Sequence, residues 1–125
     1  MLVKAIKIDV EKQDVYIVEV TAHKLQDIYN HLKCDTFAQI GRRLPNGDSL
    51  LVDDNGWILP PAKILGSFLF GSYPQPLSGN GLLMGCTDHG HTISVKSDLQ
   101  YIRSLVTFMA VNHGTHSFKN HPLKK

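Results

Sequence analysis

The sequence is poor in features that would mark a metalloprotein, a redox enzyme or a membrane protein. It has two cysteines in 125 residues, Cys34 and Cys86, and neither belongs to a CxxC pair. This spacing argues against a zinc ribbon or a thioredoxin-like site, and we expect two thiols in a reducing compartment. No apolar run approaches the ~18 residues that cross a bilayer, and the start MLVKAIKIDV lacks a signal peptide's apolar stretch. These absences predict a cytoplasmic protein with no membrane partner.

The sequence also lacks a strong charge of one sign. Thirteen Lys and Arg against eleven Asp and Glu give a net charge of +2. Three of the basic residues, Lys119, Lys124 and Lys125, lie close to the C-terminus, and Arg42-Arg43 is the one adjacent basic pair before them. Because a protein that binds duplex DNA or RNA usually shows a concentrated basic face, the composition argues against an extended nucleic-acid partner. It leaves room for one small anionic ligand.

Motifs of catalysis and metal binding are missing as well. GxSxG, a Walker loop and a Rossmann fingerprint are absent, and the seven histidines form neither HExxH nor a Cys-paired motif. Asp53 and Asp54 are adjacent, so in an extended chain they point to opposite sides and make a poor chelate; a solvated turn explains them better. Residues 88–91, Asp-His-Gly-His, are the one local cluster that an enzyme could use. We predict no cofactor, no metal and no catalytic residue.

The N-terminal third has the clearest secondary-structure pattern. Residues 2–9 alternate apolar and polar, and residues 15–20 are β-branched and aromatic, so the two segments predict a hairpin. The apolar side chains of 25–32 recur at i, i+3, i+4 and i+7. This spacing predicts an amphipathic helix that covers one face of a sheet, with Thr21 as its N-cap.

The rest of the chain predicts short strands and one further helix. Pro45-Asn46-Gly47-Asp48 is typical of a turn, because proline presets φ and Asn-Gly accepts positive φ. Ser97 and Asp98 are candidate N-caps of a helix whose apolar side extends to Met109. The predicted strands are residues 37–44, 49–52, 57–59, 64–70 and 82–86.

This order of elements predicts the fold class. A hairpin, a helix, several strands and a second helix indicate an α+β domain with a mostly antiparallel sheet and two amphipathic helices. No linker divides the chain, so we predict a single domain over residues 1–111. Residues 112–125, rich in His and Lys, lose periodicity and predict a flexible tail.

Residues 73–81, YPQPLSGNG, combine a stiff half with a permissive half. Each residue before a proline is pushed toward extended geometry, so Tyr73 and Gln75 would project from a rigid segment. Gly79-Asn80-Gly81 can turn with positive φ and bring backbone amides close to a ligand. Two interpretations stay open: a connector that docks Tyr73 and Leu77 into the core, and the wall of a pocket.

Three stretches carry a resemblance. LPNGDSLLVDDNGWIL, FLFGSYPQPLSGNGLLMG and the closing pattern D-L-x-x-I-R-x-x-V-x-F resemble a small domain-of-unknown-function family of bacteriophages, plasmids and other mobile elements. The resemblance covers roughly residues 36–109 and brings no catalytic residues with it. It implies a protein that acts in the host-cell cytoplasm, and it makes counter-defence a reasonable class of role.

Some small counter-defence proteins are symmetric oligomers that sequester the nucleotide signals of bacterial immunity. Their pockets need an aromatic ring for stacking, cations for phosphate and amide donors. The candidate ligand-binding residues here are Arg42, Arg43, Trp57, Tyr73, Gln75 and Asn80. We therefore predict a non-catalytic homo-oligomer that sequesters a small nucleotide-type signal. The alternatives are a module that inhibits a host protein and, third, a nucleotide-processing enzyme that uses residues 88–91.

Overall fold

The computed structural model of the protein describes residues 2–22, 24–32, 37–39, 44–53, 66–73, 76–87, 91–112 and 117–122. The strands within these residues are β1 (Leu2–Asp9), β2 (Asp14–Thr21), β3 (Phe37–Gln39), β4 (Ser49–Asp53), β5 (Ser67–Phe70), β6 (Leu77–Ser78), β7 (Gly81–Cys86), β8 (Thr92–Ile93), β9 (Val106–Asn112) and β10 (Ser117–Pro122). The helices are α1 (Leu25–Leu32) and α2 (Leu99–Leu105).

The strands form two sheets. The first has the order β2-β1-β7-β4-β3, with β8 paired to β7, and the second has the order β10-β9-β5-β6. The described strand pairs are antiparallel. This arrangement confirms the predicted α+β class, with mostly antiparallel strands, two helices and a single domain.

The N-terminal hairpin forms as predicted. Its register runs from Leu2 opposite Thr21 to Asp9 opposite Asp14. The turn between the strands is held by Asp9, whose Oδ1 accepts hydrogen bonds from the backbone N–H groups of Glu11 and Lys12, each at 3.1 Å. Such an Asx-type interaction satisfies turn amides that no strand partner can reach.

The first sheet is buried on both faces. Helix α1 covers one face, where it packs Ile28 and Leu32 against alternate residues of β1, β2 and β7. On the other face lies the larger core cluster, in which residues of the first sheet meet α2 and the second sheet. This cluster consists of Ile6, Ile8, Val10, Val15, Leu50, Val52, Phe68, Phe70, Leu77, Leu83, Ile102 and Val106.

The predicted turn at residues 45–48 forms and positions the start of α2. Gly47 adopts a φ of 94°, and the Leu44 N–H donates to the Asp48 carbonyl at 2.8 Å. The buried carboxylate of Asp48 accepts hydrogen bonds from the backbone N–H groups of Lys96 and Ser97 and from the Ser97 hydroxyl. This one side chain therefore ties the turn to the segment that precedes α2.

Helix α2 is shorter than the periodicity predicted. Asp98 is its N-cap, as expected, and its side chain accepts from the Tyr101 N–H. The prediction that the helix extends to Met109 is wrong, because α2 ends at Leu105 and Val106 begins β9. The segment that starts with Val106 and Thr107 is rich in residues that favour strands, and it pairs with β5 from Ser67 to Phe70.

Strands occupy part of the C-terminal segment, for which the sequence predicts a domain end at 111 and a flexible tail at 112–125. In the structure β9 continues to Asn112, and Ser117–Pro122 pairs with it as β10. These backbone positions therefore belong to the second sheet.

Among the predicted short strands, 49–52 and 82–86 are confirmed as parts of β4 and β7. Strand β3 (Phe37–Gln39) forms the start of the strand predicted at 37–44, and residues 40–43 of that span lie outside the described residues. Strand β5 begins at Ser67, and residues 64–65 of its predicted span lie outside the described residues. The strand predicted at 57–59 lies outside them altogether.

Candidate functional site

The candidate site lies where α1 stops short of the end of the hairpin that it covers. Strands β1 and β2 each have eight residues and so extend over about 26 Å. Helix α1 also has eight residues but spans only about 12 Å. The helix covers the apolar half of this face, around Val3, Ala5 and Val20. Beyond its last turn the same face of the sheet carries polar side chains.

Five residues form this polar group, which we call the helix-end cluster: Lys7, Asp9, Lys12, Tyr16 and His31. Lys7 and Tyr16 lie directly opposite each other in the β1–β2 register, so their side chains share one face of the sheet. Asp9 is the last residue of β1, Lys12 lies in the hairpin turn, and His31 comes from the last turn of α1.

Asp9 and Tyr16 are joined by a direct hydrogen bond within the helix-end cluster. The Tyr16 hydroxyl donates to Asp9 Oδ2 at 2.7 Å. Burial acts to raise the pKa of Asp9, but this bond, the bonds from the Lys12 and Glu11 amides and the charge of Lys7 outweigh it, so the pKa is lowered. Burial and the same hydrogen bond, with the charges of Asp9 and Asp14, raise the pKa of Tyr16 to about 12. At neutral pH the pair is therefore a carboxylate and a neutral phenol.

His31 faces the positive part of the cluster. Burial and the charge of Lys7 lower its pKa, against a hydrogen bond to the backbone of Glu19 and the charge of Asp27, which act to raise it. The imidazole is therefore neutral at pH 7 in the free protein. A negative charge placed between Lys7 and His31 would favour its protonated form.

Lys12 completes the group from the exposed side. Its Nζ lies 5.3 Å from the centre of the Tyr16 ring, which is within the range of a cation–π contact. Lys7, Lys12 and a protonatable His31 supply three side chains that can carry positive charge, against Asp9 within the cluster and the charges of Asp14 and Asp27, which also act on Tyr16 and His31. The ring of Tyr16 adds a flat surface. Cations beside an aromatic ring are what a phosphate-bearing, planar ligand requires.

Asn80 holds the hairpin turn and the end of α1 together beneath the cluster. Its side chain is fully buried. Its Oδ1 accepts from the Val10 N–H at 3.0 Å, and its Nδ2 donates to the His31 carbonyl at 3.0 Å. The second bond satisfies one of the backbone carbonyls that the last turn of a helix leaves without a partner. Both polar ends of this predicted ligand-binding residue are thus engaged within the chain.

The described part of residues 73–81 is built into the core. Leu77 is fully buried in the larger core cluster, and Tyr73 is partly buried against that cluster. Gly79 has the positive φ, 81°, that the permissive half of the segment predicted, and its N–H donates to the Gly66 carbonyl at 2.8 Å. These contacts are those of a connector that leads from β5 into β7.

The other predicted ligand-binding residues lie outside the described residues. These are Arg42, Arg43, Trp57 and Gln75. Cys34, Asp54 and residues 88–90 also lie outside them. His91 is described: it is exposed, and its backbone N–H and carbonyl close a loop onto Thr87. As ligand-binding residues, all six predicted positions stay predictions.

The residues of the helix-end cluster were not among the sequence-predicted candidates. One signal was present: on β1 the odd positions begin Val3, Ala5 and then change to Lys7 and Asp9. Two charged residues in the register that should face a helix indicate that the helix does not reach them. Periodicity alone could not place His31 or Tyr16 beside them, because those contacts depend on the length of α1.

Three further findings bound the site. Within the described residues, no group of three or more His, Cys, Asp or Glu side chains could hold a metal ion. Neither described helix is long and apolar enough to cross a membrane. Comparisons of the chain with protein-family models, with curated proteins and with solved structures found no match.

Proposed function

We propose that the protein binds a small nucleotide-type ligand at the helix-end cluster and sequesters it without changing it. The observation that carries this proposal is the placement of Lys7 and Lys12 beside Tyr16, with His31 near Lys7. The cations supply the phosphate contacts and the ring supplies a stacking surface. The neutral phenol and the low pKa of Asp9 leave the Asp9–Tyr16 pair without a ready proton donor or acceptor near pH 7, which favours binding over acid–base chemistry.

The biological part of the proposal rests on the resemblance to proteins of mobile elements. In that setting the ligand is a nucleotide signal of bacterial immunity, and the protein acts in the host-cell cytoplasm as a homo-oligomer. Arg42, Arg43, Trp57, Tyr73, Gln75 and Asn80 are retained in the proposal. The role of Asn80 is then indirect, because it fixes the His31 backbone and the hairpin turn on which Lys12 lies.

A ligand screen tests the proposal. Purified protein is heated with cyclic dinucleotides, cyclic oligonucleotides, ADP-ribose compounds and inorganic phosphate, and the change in Tm is recorded. A ligand at 100 times its Kd adds about 2.7 kcal/mol to the free energy of unfolding. Mass spectrometry of the compound released by heat then shows whether it is unchanged. Altered product would favour the nucleotide-processing alternative.

Two matched pairs of variants locate the site. Lys7→Gln should abolish the rise in Tm, whereas Lys96→Gln, on an exposed residue away from the cluster, should keep it. Tyr16→Phe keeps the stacking ring and should retain most of the binding, whereas Tyr16→Leu should lose it. If Lys7→Gln and Lys96→Gln bind equally well, the cluster is not the site.

The inhibitor of a host protein is the second candidate. It is favoured by large apolar side chains that remain exposed, namely Leu2, Ile17, Leu25 and Tyr101. In this case no compound in the ligand screen raises the Tm, and a host protein of defined mass co-purifies in stoichiometric amount. Substitution of Ile17 by Ser would then release that protein.

A further inference from the structure

Strand β2 is the terminal strand of the first sheet, so one of its edges has no strand partner among the described residues. In an antiparallel pair, alternate residues direct both their N–H and their C=O away from the neighbouring strand. In β2 these are Val15, Ile17, Glu19 and Thr21, as the external hydrogen bonds of Val15 and Thr21 show. An unpaired edge of this kind is a template for another strand, including one from a second copy of the chain.

The chain's own side chains occupy the first end of this edge. The Val15 N–H donates to Asp14 Oδ1 at 2.8 Å, and Arg103 Nε donates to the Val15 carbonyl at 2.9 Å. The Arg103 guanidinium also lies 3.4 Å from Asp14 Oδ1. Arg103 belongs to α2, so the second helix reaches across to cover the edge of the first sheet.

The opposite end of the edge is occupied from α1. Asp27 Oδ2 accepts from the Thr21 N–H at 2.8 Å, and the Thr21 carbonyl accepts from the Lys24 N–H at 3.1 Å. The backbone of Glu19 lies beside the His31 side chain. Among the described residues, this leaves Ile17 between the two ends with its outward backbone groups open and its side chain 48% exposed.

We propose that Arg103, together with Asp14, keeps this edge closed against β2 of a second copy of the chain. A symmetric antiparallel pair centred on Ile17 would place Val15 of one copy opposite Glu19 of the other. Both outward groups of Val15 are already engaged by Asp14 and Arg103, so neither can bond to Glu19 of the other copy. Only the hydrogen bonds between the two Ile17 residues could then form. A homo-oligomer of this protein therefore uses a surface other than the β2 edge.

Arg103→Met tests the proposal. Methionine keeps a flexible apolar stem and a high helix propensity, but it has no donor for the Val15 carbonyl. Sedimentation of the variant should show a concentration-dependent species of twice the wild-type mass. Hydrogen exchange of the Ile17 amide should slow by at least about tenfold as that species forms, as expected for an amide that enters a ladder. Lys96→Met is the matched control and should behave as the wild type.

A second substitution distinguishes pairing of the β2 edges from nonspecific association. Ile17→Lys in the Arg103→Met background places two like charges at the centre of the symmetric pair and should restore the wild-type mass. The proposal is overturned if Arg103→Met has the mass and Ile17 exchange of the wild type, or if the wild type itself pairs with Ile17 protected. Should Arg103→Met not fold by circular dichroism, Arg103→Lys, which retains the charge beside Asp14 but not Nε, is judged by the same two measurements.

Discussion

The Nδ2 atom of Asn80 lies 3.0 Å from the carbonyl oxygen of His31 and donates a hydrogen bond to it. This contact joins the loop before β7 to the last turn of α1. Through Oδ1 the same side chain accepts from the Val10 N–H, so one buried amide fixes both elements that border the helix-end cluster. The position of His31 relative to the hairpin therefore depends on a buried residue whose two polar atoms are both engaged within the chain.

Asn80→Asp should destabilise the protein strongly. The substitution keeps the acceptor for Val10 but places a carboxylate oxygen against the His31 carbonyl, in a fully buried position. Leaving a buried group without its hydrogen bond costs about 1–3 kcal/mol, and more for a charge. We expect the free energy of unfolding to fall by more than about 2 kcal/mol in urea denaturation.

Asn30→Asp is the control for this substitution. Asn30 is an exposed residue of α1 whose Oδ1 accepts from Gln26, and an aspartate retains that acceptor. Its effect should stay within about 0.5 kcal/mol. Equal effects of the two variants would show that Asn80 is not the tie between the hairpin and the helix.

Asp48→Asn should be destabilising for a related reason. The Asp48 side chain is fully buried. Its two oxygens accept hydrogen bonds from the N–H groups of Lys96 and Ser97 at 2.8–3.1 Å and from the Ser97 hydroxyl at 2.5 Å. An asparagine turns one acceptor into a donor that faces other donors. We expect a loss of about 2–3 kcal/mol in the free energy of unfolding, measured in urea.

The comparison for Asp48→Asn is Asp98→Asn. Asp98 is the N-cap of α2 and accepts from the Tyr101 N–H. Asparagine caps a helix about as well as aspartate, so this exposed change should be nearly neutral. A small effect at both positions would contradict the view that Asp48 anchors the segment before α2.

The N-terminal half of the fold could be predicted because its patterns are local. The alternation of residues 2–9, the apolar stripe of α1 and the proline-containing turn each follow from neighbouring residues. The boundary between α2 and β9 could not, since Leu105, Val106 and Met109 also fit a helical stripe. Pairing of Val106 and its neighbours with β5 decided it, and that contact is not local.

The candidate site could not be predicted from the sequence either, because its contacts are also not local. The place of Asn80 between two glycines predicts a ligand contact; its hydrogen-bond partners within the chain lie 70 and 49 residues away in sequence, which the sequence does not reveal. Lys7 and Asp9 were visible as an irregularity in β1. That they meet Tyr16 and His31 depends on how far α1 extends over the hairpin, which spacing within one segment does not reveal.

Tyr16→Phe should change the response to both acid and alkali. In the wild type the pKa of Asp9 lies below its usual value, so its stabilising effect is present above about pH 4 and is lost as the pH falls further. Without the Tyr16 hydroxyl that pKa should rise. At pH 7 the variant should lose about 1.5 kcal/mol, the lower range for a hydrogen bond to a charged group, and the difference should shrink below pH 4.

At high pH the difference in the free energy of unfolding between the wild type and Tyr16→Phe should become smaller again. The pKa of Tyr16 is raised to about 12 from the usual 10.0, so between these two values the folded protein holds a proton that the unfolded chain releases. The wild type therefore loses stability between about pH 10 and pH 12, and a phenylalanine has no such loss. Urea midpoints measured across both ranges check the prediction, and a constant difference from pH 3 to pH 11 would count against the Asp9–Tyr16 hydrogen bond.

Ligand binding at the helix-end cluster should be coupled to protonation of His31. Burial and Lys7 hold its pKa below the usual value of 6.5 in the free protein, so the neutral form contributes stability above pH 6.5 that is lost as the pH falls through the lowered pKa. A bound phosphate beside Lys7 raises that pKa, because an opposite charge favours the protonated imidazole. The complex therefore takes up a proton, and affinity should increase as the pH falls from 8 to about 6.

Calorimetry in buffers of different ionisation enthalpy measures the proton uptake directly. His31→Gln should make the affinity independent of pH in this range, whereas His91→Gln, on an exposed loop, should leave the wild-type profile intact. A wild-type affinity that does not vary with pH would show that His31 does not contact the ligand. Lys7 and Lys12 would then be the described cations of the helix-end cluster that bind it.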